Sequence, residues 1–423
     1  MFLPGTSLKP LFCKVLFAAV AFAVSSIGCT GDEPAPEPDV HADLPFAPAG
    51  PNETQAPDPA KMGPYAVGVR TLTFYDDTRS TNDSGEPRKL IVEIWYPSTE
   101  DARGATEDYL LWDLLNDEQK LNFDPEDLGA ISTEALRDAP VRDNEKYPVL
   151  LFSHGNDGIR MQSTYYTNYL ASHGYVVVSP DHEGDTLVEM LDELQAEGDN
   201  ITSTTDSYTD TFFDRPIDMS YLINQLEDLD VADPLKAVLD LEHIGISGHS
   251  FGALTSFRTA GFDYRIDALV AQAPVGVGLV NLALDVQVAD MGIPYMIQSA
   301  GMDLSLEESL HAESLWNHMV PPRFSLSLTK GGHYTYSDLC ILDVEALNVA
   351  IERDVWFVLT DGCGEENIAP ADAFPIIRHY GIGFFNHYLR GSPGSLDLIL
   401  SADKLPTDIA LDAADIAVRA EPE

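Results

Sequence analysis

Residues 244–257 read IGISGHSFGALTSF, and this stretch decides how the rest of the chain is interpreted. Within it, residues 248–252 form the pattern G-x-S-x-G, with an apolar run before it and a helix-compatible run after it. A serine on a tight strand-to-helix turn projects its hydroxyl outwards, and flanking glycines remove the Cβ atoms that would clash there. The stretch therefore predicts a nucleophile elbow centred on Ser250. The alternative is a glycine-rich turn around an inert serine.

Length and charge limit the classes of protein to consider. The chain has 423 residues, which is long enough for one large α/β domain or two ordinary ones. Its 69 acidic residues outnumber 24 Lys and Arg, giving a net charge of −45, so we expect no nucleic-acid partner. The four Cys and eleven His show no metal-site spacing, so no metal or other cofactor is predicted. No motif indicates a protein partner.

Residues 1–28 have the features of an export signal. Two lysines precede the apolar stretch 15–24, which is too short to span a bilayer comfortably. Residues 26–29 read SIGC and resemble a bacterial lipobox, in which the cysteine becomes the lipid-modified first residue. Ser26 stands where leucine is usual, so ordinary signal-peptidase cleavage is the alternative. Both interpretations predict an exported cell-envelope protein, either anchored to a membrane through a lipidated Cys29 or secreted.

The expected export determines how two later cysteines are interpreted. Oxidising compartments favour disulfides, so we expect Cys340 and Cys363 to form one. By the loop-entropy argument, closing the loop between them would stabilise the fold by about 3 kcal/mol. The alternative is a pair of free, buried thiols.

The chain divides into a tether and one folded domain. Residues 29–62 are rich in Pro, Ala, Asp and Glu, a composition that cannot bury a core. We therefore predict a disordered, extended tether there, which after a lipidated cysteine would hold the domain away from a membrane. Residues 63–423 form the predicted catalytic domain.

Short apolar strands alternate with helices in this domain. Residues 67–74 and 89–96 alternate apolar and polar side chains around a turn-rich segment, which predicts a β-hairpin. Further strands are predicted at 148–152, 174–180, 243–247, 268–273, 295–299 and 324–328, and helices at 163–172, 214–226, 253–259 and 376–388. The pattern is typical of a mostly parallel central sheet flanked by helices on both faces.

Two acidic insertions interrupt this pattern. Residues 104–145 include Tyr109 to Leu115, whose apolar spacing predicts a helix. The segment is either a candidate lid over a pocket or a surface helix packed on the sheet. Residues 184–212 are the second insertion, polar and acidic.

Two residues later in the chain, Asp303 and His333, are candidates for the partners that a serine nucleophile needs. The nucleophile requires a base that takes its proton and a carboxylate that orients this base. Asp303 follows one predicted strand, and His333 lies in a glycine-rich stretch after the next. Open α/β sheets place their sites beyond the carboxyl ends of strands, so we expect both residues beside Ser250. Asp303 is also suited to cap a helix, and Asp290 and Asp338 are rival acids.

A tetrahedral oxyanion needs backbone N–H donors. The N–H of Phe251 follows the nucleophile and is the natural first donor. The second donor should come from the loop after an early strand, and residues 152–158 read FSHGNDG there. We therefore expect the N–H of Asn156 to serve. The alternative is an ordinary strand-to-helix turn.

Several of these stretches carry a family resemblance, spanning roughly residues 63 to 390. The chain resembles the plasma-type platelet-activating-factor acetylhydrolases and their bacterial dienelactone-hydrolase-like relatives. The similar stretches are SHG at 153–155, the strand 174–180, GHSFG at 248–252, HYTYSD at 333–338, GPY at 63–65, VEIWYP at 92–97 and RPID at 215–218.

The resemblance implies an α/β-hydrolase fold and a metal-independent serine esterase that prefers short or oxidised acyl chains. It further implies a triad of Ser250, Asp303 and His333, with Asn156 and Phe251 as oxyanion donors. We therefore expect an exported serine esterase that acts on a small ester or lipid through an acyl-enzyme. The alternatives are a phospholipid deacylase, a general carboxylesterase, a polyester hydrolase, a peptidase or amidase, or a catalytically silent binding module on the same scaffold.

Overall fold

The computed structural model describes residues 41–53, 55–80, 85–121, 124, 129–197, 204–282, 288–342, 361–405 and 415–423. All of them lie in one compact unit, Val40–Glu423. The predicted signal segment 1–28, with Cys29 and residues 30–40 of the predicted tether, lies outside the described residues. No described helix is both long enough and apolar enough to cross a membrane.

A large sheet forms the centre of this unit. The strands are β1 Ala66–Ser80, β2 Pro87–Ser98, β3 Glu107–Leu110, β4 Ala130–Thr133, β5 Leu136–Arg137, β6 Tyr147–Ser153, β7 Val176–Pro180, β8 Leu239–His249, β9 Ile266–Gln272, β10 Tyr295–Ala300, β11 Arg323–Leu328 and β12 Ile416–Glu421. The order in the ten-stranded sheet is β12-β11-β10-β9-β8-β6-β7-β2-β1-β5, and β3 pairs with β4 separately. From β11 to β7 all neighbours are parallel, which confirms the predicted mostly parallel sheet.

Helices flank the sheet. They are α1 Leu111–Leu114, α2 Thr164–Ser172, α3 Leu187–Glu197, α4 Thr204–Glu227, α5 Pro234–Val238, α6 Phe251–Phe262, α7 Val277–Leu282, α8 Ala312–Trp316, α9 Pro370–Tyr388 and α10 Pro393–Ile399. The second half of α4 covers the helix predicted at 214–226. Its first half and α3 lie in the predicted acidic insertion 184–212.

The strand β6 shows why the central strands read as continuous apolar runs. Leu150 and Phe152 pack in one hydrophobic cluster, whereas Val149 and Leu151 pack in the other. Successive side chains of a strand point to opposite faces of a sheet, so a strand covered on both faces needs apolar residues at every position.

The first two strands pair antiparallel, from Ala66 opposite Ser98 to Ser80 opposite Pro87. Residues 81–84 between them lie outside the described residues. β2 joins the parallel part of the sheet through an antiparallel pairing with β7.

The helix predicted from Tyr109 to Leu115 is wrong in its first half. β3 extends to Leu110, and α1 adds a single helical turn. Tyr109 stands opposite Ile131 of β4, and both side chains are buried in the core, with the Tyr109 ring edge-on to Trp95. Strand alternation buries these residues, and a short apolar run does not distinguish strand from helix by periodicity. The candidate lid role of 104–145 stays a prediction.

The structure also differs from the predicted tether in residues 41–62. Ala49 and Ala60 are buried, and the Arg390 Nε donates a hydrogen bond of 2.9 Å to the Ala49 carbonyl. Arg142 pairs with Asp43. The described part of this acidic, proline-rich stretch therefore lies against the domain. It has no large apolar core of its own, and these specific contacts hold it in place.

Candidate active site

Ser250 lies on a sharp turn between β8 and α6. Its φ of +55° and ψ of −115° are outside the comfortable range for a residue with a Cβ atom. A Cβ on Gly248 would lie 2.4 Å from the Gly252 carbonyl oxygen, and one on Gly252 would lie 1.9 Å from the Ser153 carbonyl oxygen. Both flanking glycines are therefore required by backbone contact, as the pattern at 248–252 predicts.

The three predicted triad residues meet at the carboxyl ends of β8, β10 and β11. The Ser250 hydroxyl lies 2.8 Å from the His333 Nε2, and the His333 Nδ1 lies 2.9 Å from the Asp303 Oδ2. Asp303 and His333 are buried, whereas Ser250 is half-buried. With Nδ1–H donated to Asp303, the Nε2 lone pair is directed at the serine hydroxyl. This arrangement suits proton transfer from the serine.

Asp303 binds the predicted base, but the helix cap that the sequence also suggested for it does not form, because the next helix, α8, begins only at Ala312. The Asp303 Oδ2 accepts from His333, and its Oδ1 accepts a hydrogen bond of 2.5 Å from the Leu306 N–H. Residues 304–306 form a bend, and α8 begins later, at Ala312. The carboxylate thus closes its own loop while it orients the histidine ring.

The rival acids are placed elsewhere. Asp290 is exposed at the end of a short 3-10 turn. Asp338 is buried, and its Oδ2 accepts from the Tyr165 N–H in the first turn of α2. Burial raises the pKa of Asp338 to about 8. Its position at the start of α2 gives it a structural role in holding that helix.

A chain of hydrogen bonds joins the loop of the base to the loop that follows β6. Gln162 accepts from the Gly155 N–H at 2.8 Å and donates to the His249 Nδ1 at 2.9 Å. The His249 Nε2–H in turn donates to the His333 carbonyl at 2.9 Å. Burial lowers the pKa of His249 to about 3, so its ring is neutral with the proton on Nε2. The residue before the nucleophile therefore ties both loops together.

The two predicted oxyanion donors belong to segments that this series of hydrogen bonds joins, the elbow and the loop after β6. Phe251 is the first residue of α6 and directly follows Ser250, so its N–H lies on the turn that carries the predicted nucleophile. Asn156 follows Gly155, and a Cβ on Gly155 would lie 3.1 Å from the His249 Nδ1. The loop that carries Asn156 therefore runs beside the elbow. The role of both N–H groups stays a prediction.

Two protein-family models match parts of this chain. The family model described as "Platelet-activating factor acetylhydrolase, isoform II" matches residues 51–197, and the one described as "Chlorophyllase" matches residues 132–283. The platelet-activating factor acetylhydrolase of Cavia porcellus is 27% identical over 248 residues, which cover 51% of this chain and 55% of that protein. The chain thus spans about half the length of the mammalian relatives it matches.

Two further proteins align over most of their length. A probable 1-alkyl-2-acetylglycerophosphocholine esterase of Arthroderma benhamiae is 26% identical over 386 residues, covering 84% of this chain and 93% of that protein. The solved structure of a ferulic acid esterase from Streptomyces cinnamoneus superposes with a TM-score of 0.59 at 19% identity, covering 84% of this chain and 96% of its own. The chain is an α/β-hydrolase superfamily relative.

This α/β-hydrolase relative holds a second Ser–His–Asp set, which sequence analysis missed. The Ser153 Oγ lies 3.0 Å from the His182 Nε2, and the His182 Nδ1 lies 2.9 Å from the Asp218 Oδ2. All three side chains are 0% exposed. Burial, with the Arg215 cation nearby, lowers the pKa of His182 to about 3. The only sequence signals were a histidine just after β7 and the RPID stretch at 215–218.

Arg215 connects this buried set to the loop after β6. Its Nη2 donates to the Ser153 hydroxyl at 2.9 Å and to the His154 carbonyl, and its Nη1 donates to Asp185 at 2.7 Å. The other Asp185 oxygen accepts from the Asp157 N–H at 2.7 Å. A buried cation therefore holds both ends of the segment that carries Asn156.

The disulfide is present in the structure between Cys340 and Cys363. Cys340 lies in the 3-10 turn Asp338–Ile341, which follows the loop of His333. In the described part of the chain, no group of His, Cys, Asp and Glu side chains is arranged to hold a metal ion.

Proposed function

We propose that this protein is a serine ester hydrolase. The observation that carries the proposal is the hydrogen-bonded set of Ser250, His333 and Asp303, in which Ser250 lies on a strained strand-to-helix turn. The names of the relatives, acetylhydrolase and esterase, support an ester as the substrate class.

In the first half of the reaction, the Ser250 oxygen attacks the ester carbonyl while His333 Nε2 takes the hydroxyl proton. Asp303 keeps the ring in the required tautomer and stabilises the imidazolium that forms. The carbonyl oxygen becomes an anion, and the N–H groups of Phe251 and Asn156 are the proposed donors to it. The positive end of the α6 dipole lies on the same side.

In the second half, the imidazolium gives its proton to the departing alkoxide, which leaves as an alcohol. The acyl group stays on the Ser250 oxygen as an ester. His333 then takes a proton from water, the resulting hydroxide attacks the acyl carbon, and the same proton returns to the serine oxygen. The acid is released and the enzyme is restored.

For the substrate we propose short-chain esters or the acyl esters of phospholipids. The support is the name of the Arthroderma relative, an esterase of a 1-alkyl-2-acetyl glycerophosphocholine, which aligns over 84% of this chain. Polyester hydrolysis and a silent binding module on this fold are the competing outcomes.

The test is hydrolysis of p-nitrophenyl esters from C2 to C12 by the purified chain, with Ser250→Ala in parallel. We expect activity highest at short chains and a loss of kcat by roughly 10⁶-fold in the variant. Activity that is highest at C8 to C12 would shift the substrate class towards longer acyl chains. A folded wild-type chain that neither turns over any ester nor reacts with a fluorophosphonate would favour the silent module.

We further propose that the protein is exported and anchored to a membrane through a lipidated Cys29. The SIGC stretch at 26–29 supports this location, and so does the disulfide, since oxidising compartments favour such bonds. Expression in a bacterial host should place the wild-type chain in the detergent phase and Cys29→Ser in the aqueous phase. Equal partition of both chains would argue for simple secretion or no export.

A further inference from the structure

One carboxylate holds together the two loops that supply the acid and the base. The Asp361 Oδ1 accepts hydrogen bonds from the Leu304 N–H and the His333 N–H, each at 3.0 Å. Its Oδ2 accepts from the Ser305 N–H at 2.8 Å and from the Ser305 hydroxyl at 2.6 Å. Leu304 and Ser305 directly follow Asp303. Asp361 is 2% exposed, so the carboxylate that accepts these bonds is shielded from water, whereas the donors Leu304 and Ser305 lie at the surface.

The segment that carries Asp361 packs backbone to backbone against the loop of the base. A Cβ on Gly332 would lie 2.4 Å from the Gly362 nitrogen. Gly362 itself has a φ of +125°, and a Cβ there would lie 2.7 Å from the Thr335 nitrogen. Such contact leaves little room for the segment to shift relative to His333.

The same segment is anchored on its far side. Cys363 is bonded to Cys340, which lies on the turn that follows the base loop. Further along, the Ile368 N–H donates to the Lys330 carbonyl at 3.0 Å. The carboxylate of Asp361 is thus carried on a segment tied to the base loop at two further points.

We infer that Asp361 is a positioning residue, which sets the distance between Asp303 and His333 by binding the backbone of both loops through one carboxylate. This inference rests on the proposed serine hydrolase function. The acid and the base follow two different strands, β10 and β11, so their separation depends on loop geometry. A misplacement of about 1 Å in a reacting group lowers a rate by roughly 100-fold. Hydrogen bonds from N–H groups to a carboxylate are strong enough to prevent it.

The variant Asp361→Asn tests this with little change in volume. An amide nitrogen would replace one carboxylate oxygen. In place of Oδ1 it would face the N–H groups of Leu304 and His333, and in place of Oδ2 it would face the N–H and hydroxyl of Ser305.

The matched control is Asp263→Asn, because the Asp263 carboxylate is also buried and also accepts from a backbone N–H, that of Arg265 at 3.1 Å. Asp263 directly follows the last residue of α6, at the end of that helix opposite to Ser250.

The primary measurement is the second-order rate constant for labelling of Ser250 by a fluorophosphonate, which requires an activated serine but no knowledge of the substrate. The kcat and KM for p-nitrophenyl acetate are measured alongside, well below the melting temperatures of all variants. We expect Asp361→Asn to lower the labelling rate and kcat by about 10- to 100-fold, with KM changed less than about threefold. Asp263→Asn should stay within about twofold of the wild type in both quantities.

A double-variant cycle separates positioning from general destabilisation. If Asp361 acts through Asp303, then Asp361→Asn should have a much smaller effect in an Asp303→Asn background than in the wild type. Equal effects in both backgrounds, or an equal loss in Asp263→Asn, would overturn the inference while the proposed function stands. A wild-type chain that does not label would overturn both.

Ser305→Ala provides a second route if Asp361→Asn does not fold. It removes only the hydroxyl that donates to Asp361 at 2.6 Å. Ser309→Ala is its control, since Ser309 is exposed on the same stretch and its hydroxyl donates to Glu307. We expect a labelling rate about two- to fivefold lower for Ser305→Ala, and no change for Ser309→Ala. Equal rates for both variants would count against the positioning role.

Discussion

The two Ser–His–Asp sets of this chain have nearly the same hydrogen-bond lengths and opposite surroundings. The distances are 2.8 and 2.9 Å in the set of Ser250, and 3.0 and 2.9 Å in the set of Ser153. Ser250 is half-buried on a strained turn, whereas Ser153 is fully buried at the end of β6. Distances between three side chains therefore do not identify a catalytic site.

Three properties exclude the buried set from nucleophilic catalysis. No substrate carbonyl reaches an oxygen that is 0% exposed. The Ser153 oxygen also accepts a hydrogen bond from Arg215, which lowers its nucleophilicity. Finally, a pKa of about 3 makes His182 a very weak base at neutral pH. The set instead fixes the end of β6 in the core, and the loop that carries Asn156 starts there. The role of this set is therefore structural.

The sharpest contrast lies between the two serines. Ser250→Ala should lower kcat for p-nitrophenyl acetate by roughly 10⁶-fold. Ser153→Ala should keep kcat within about tenfold but lower the free energy of unfolding by about 1–3 kcal/mol, because Arg215 and His182 lose a buried partner. Steady-state kinetics and urea unfolding measure the two effects. A folded Ser153→Ala chain as inactive as Ser250→Ala would break the distinction.

The two aspartates should differ in the same way as the two serines, Asp303 in rate and Asp218 in stability. Asp303→Asn should lower kcat by about 10⁴-fold, since the ring of His333 loses the acceptor that selects its tautomer. Asp218 instead accepts two hydrogen bonds from Arg88, at 2.7 Å each, and one from Arg79. Asp218→Asn should therefore lower the free energy of unfolding by about 3–5 kcal/mol, because buried cations lose their counter-ion.

Kinetics and urea unfolding on the same preparations test this crossed pattern. A larger loss of stability in Asp303→Asn than in Asp218→Asn would contradict it.

Of the two Ser–His–Asp sets, only that of Ser250 should change when the disulfide is removed. Replacing Cys340 and Cys363 by serine should lower the free energy of unfolding by about 3 kcal/mol. It should also lower kcat severalfold, because the segment of Asp361 loses one anchor. The pH dependence that His182 imposes on unfolding should stay unchanged. Unaltered kcat in a chain of lowered stability would show that the other contacts of Asp361 suffice.

The last contrast concerns stability in acid. The pKa of His182 is about 3 in the folded chain, below its ordinary value of 6.5, so the unfolded chain binds a proton first as pH falls. Its contribution to stability is therefore fully present above pH 6.5 and is lost as pH falls from there towards 3. The loss reaches about 1.4 kcal/mol per pH unit.

His182→Asn isolates this contribution from the other titrating groups. Urea unfolding at pH 4.5 to 7.5 should show a shallower acid slope in the variant than in the wild type. Identical slopes in the two chains would mean that His182 titrates normally in the fold.

Local patterns explain why much of the site was predictable. The elbow around Ser250 needs glycines at fixed offsets, so the chain shows it within five residues. Asp303 and His333 directly follow two successive apolar runs, and parallel strands bring such positions to one edge of the sheet. The helix expected at Tyr109 failed because a short apolar run carries no clear period.

The sequence by itself determined the order of the central strands β6 to β11, the turn at Ser250, and the residues that follow these strands, since these depend on neighbours a few positions apart. Only the tertiary structure decided which polar groups meet at distance. It placed Asp361 across the loops of Asp303 and His333, and it buried Ser153, His182 and Asp218 as a second set. The physical reason is that a hydrogen bond depends on position to within a few tenths of an ångström, and spacing along a chain does not specify position at that precision.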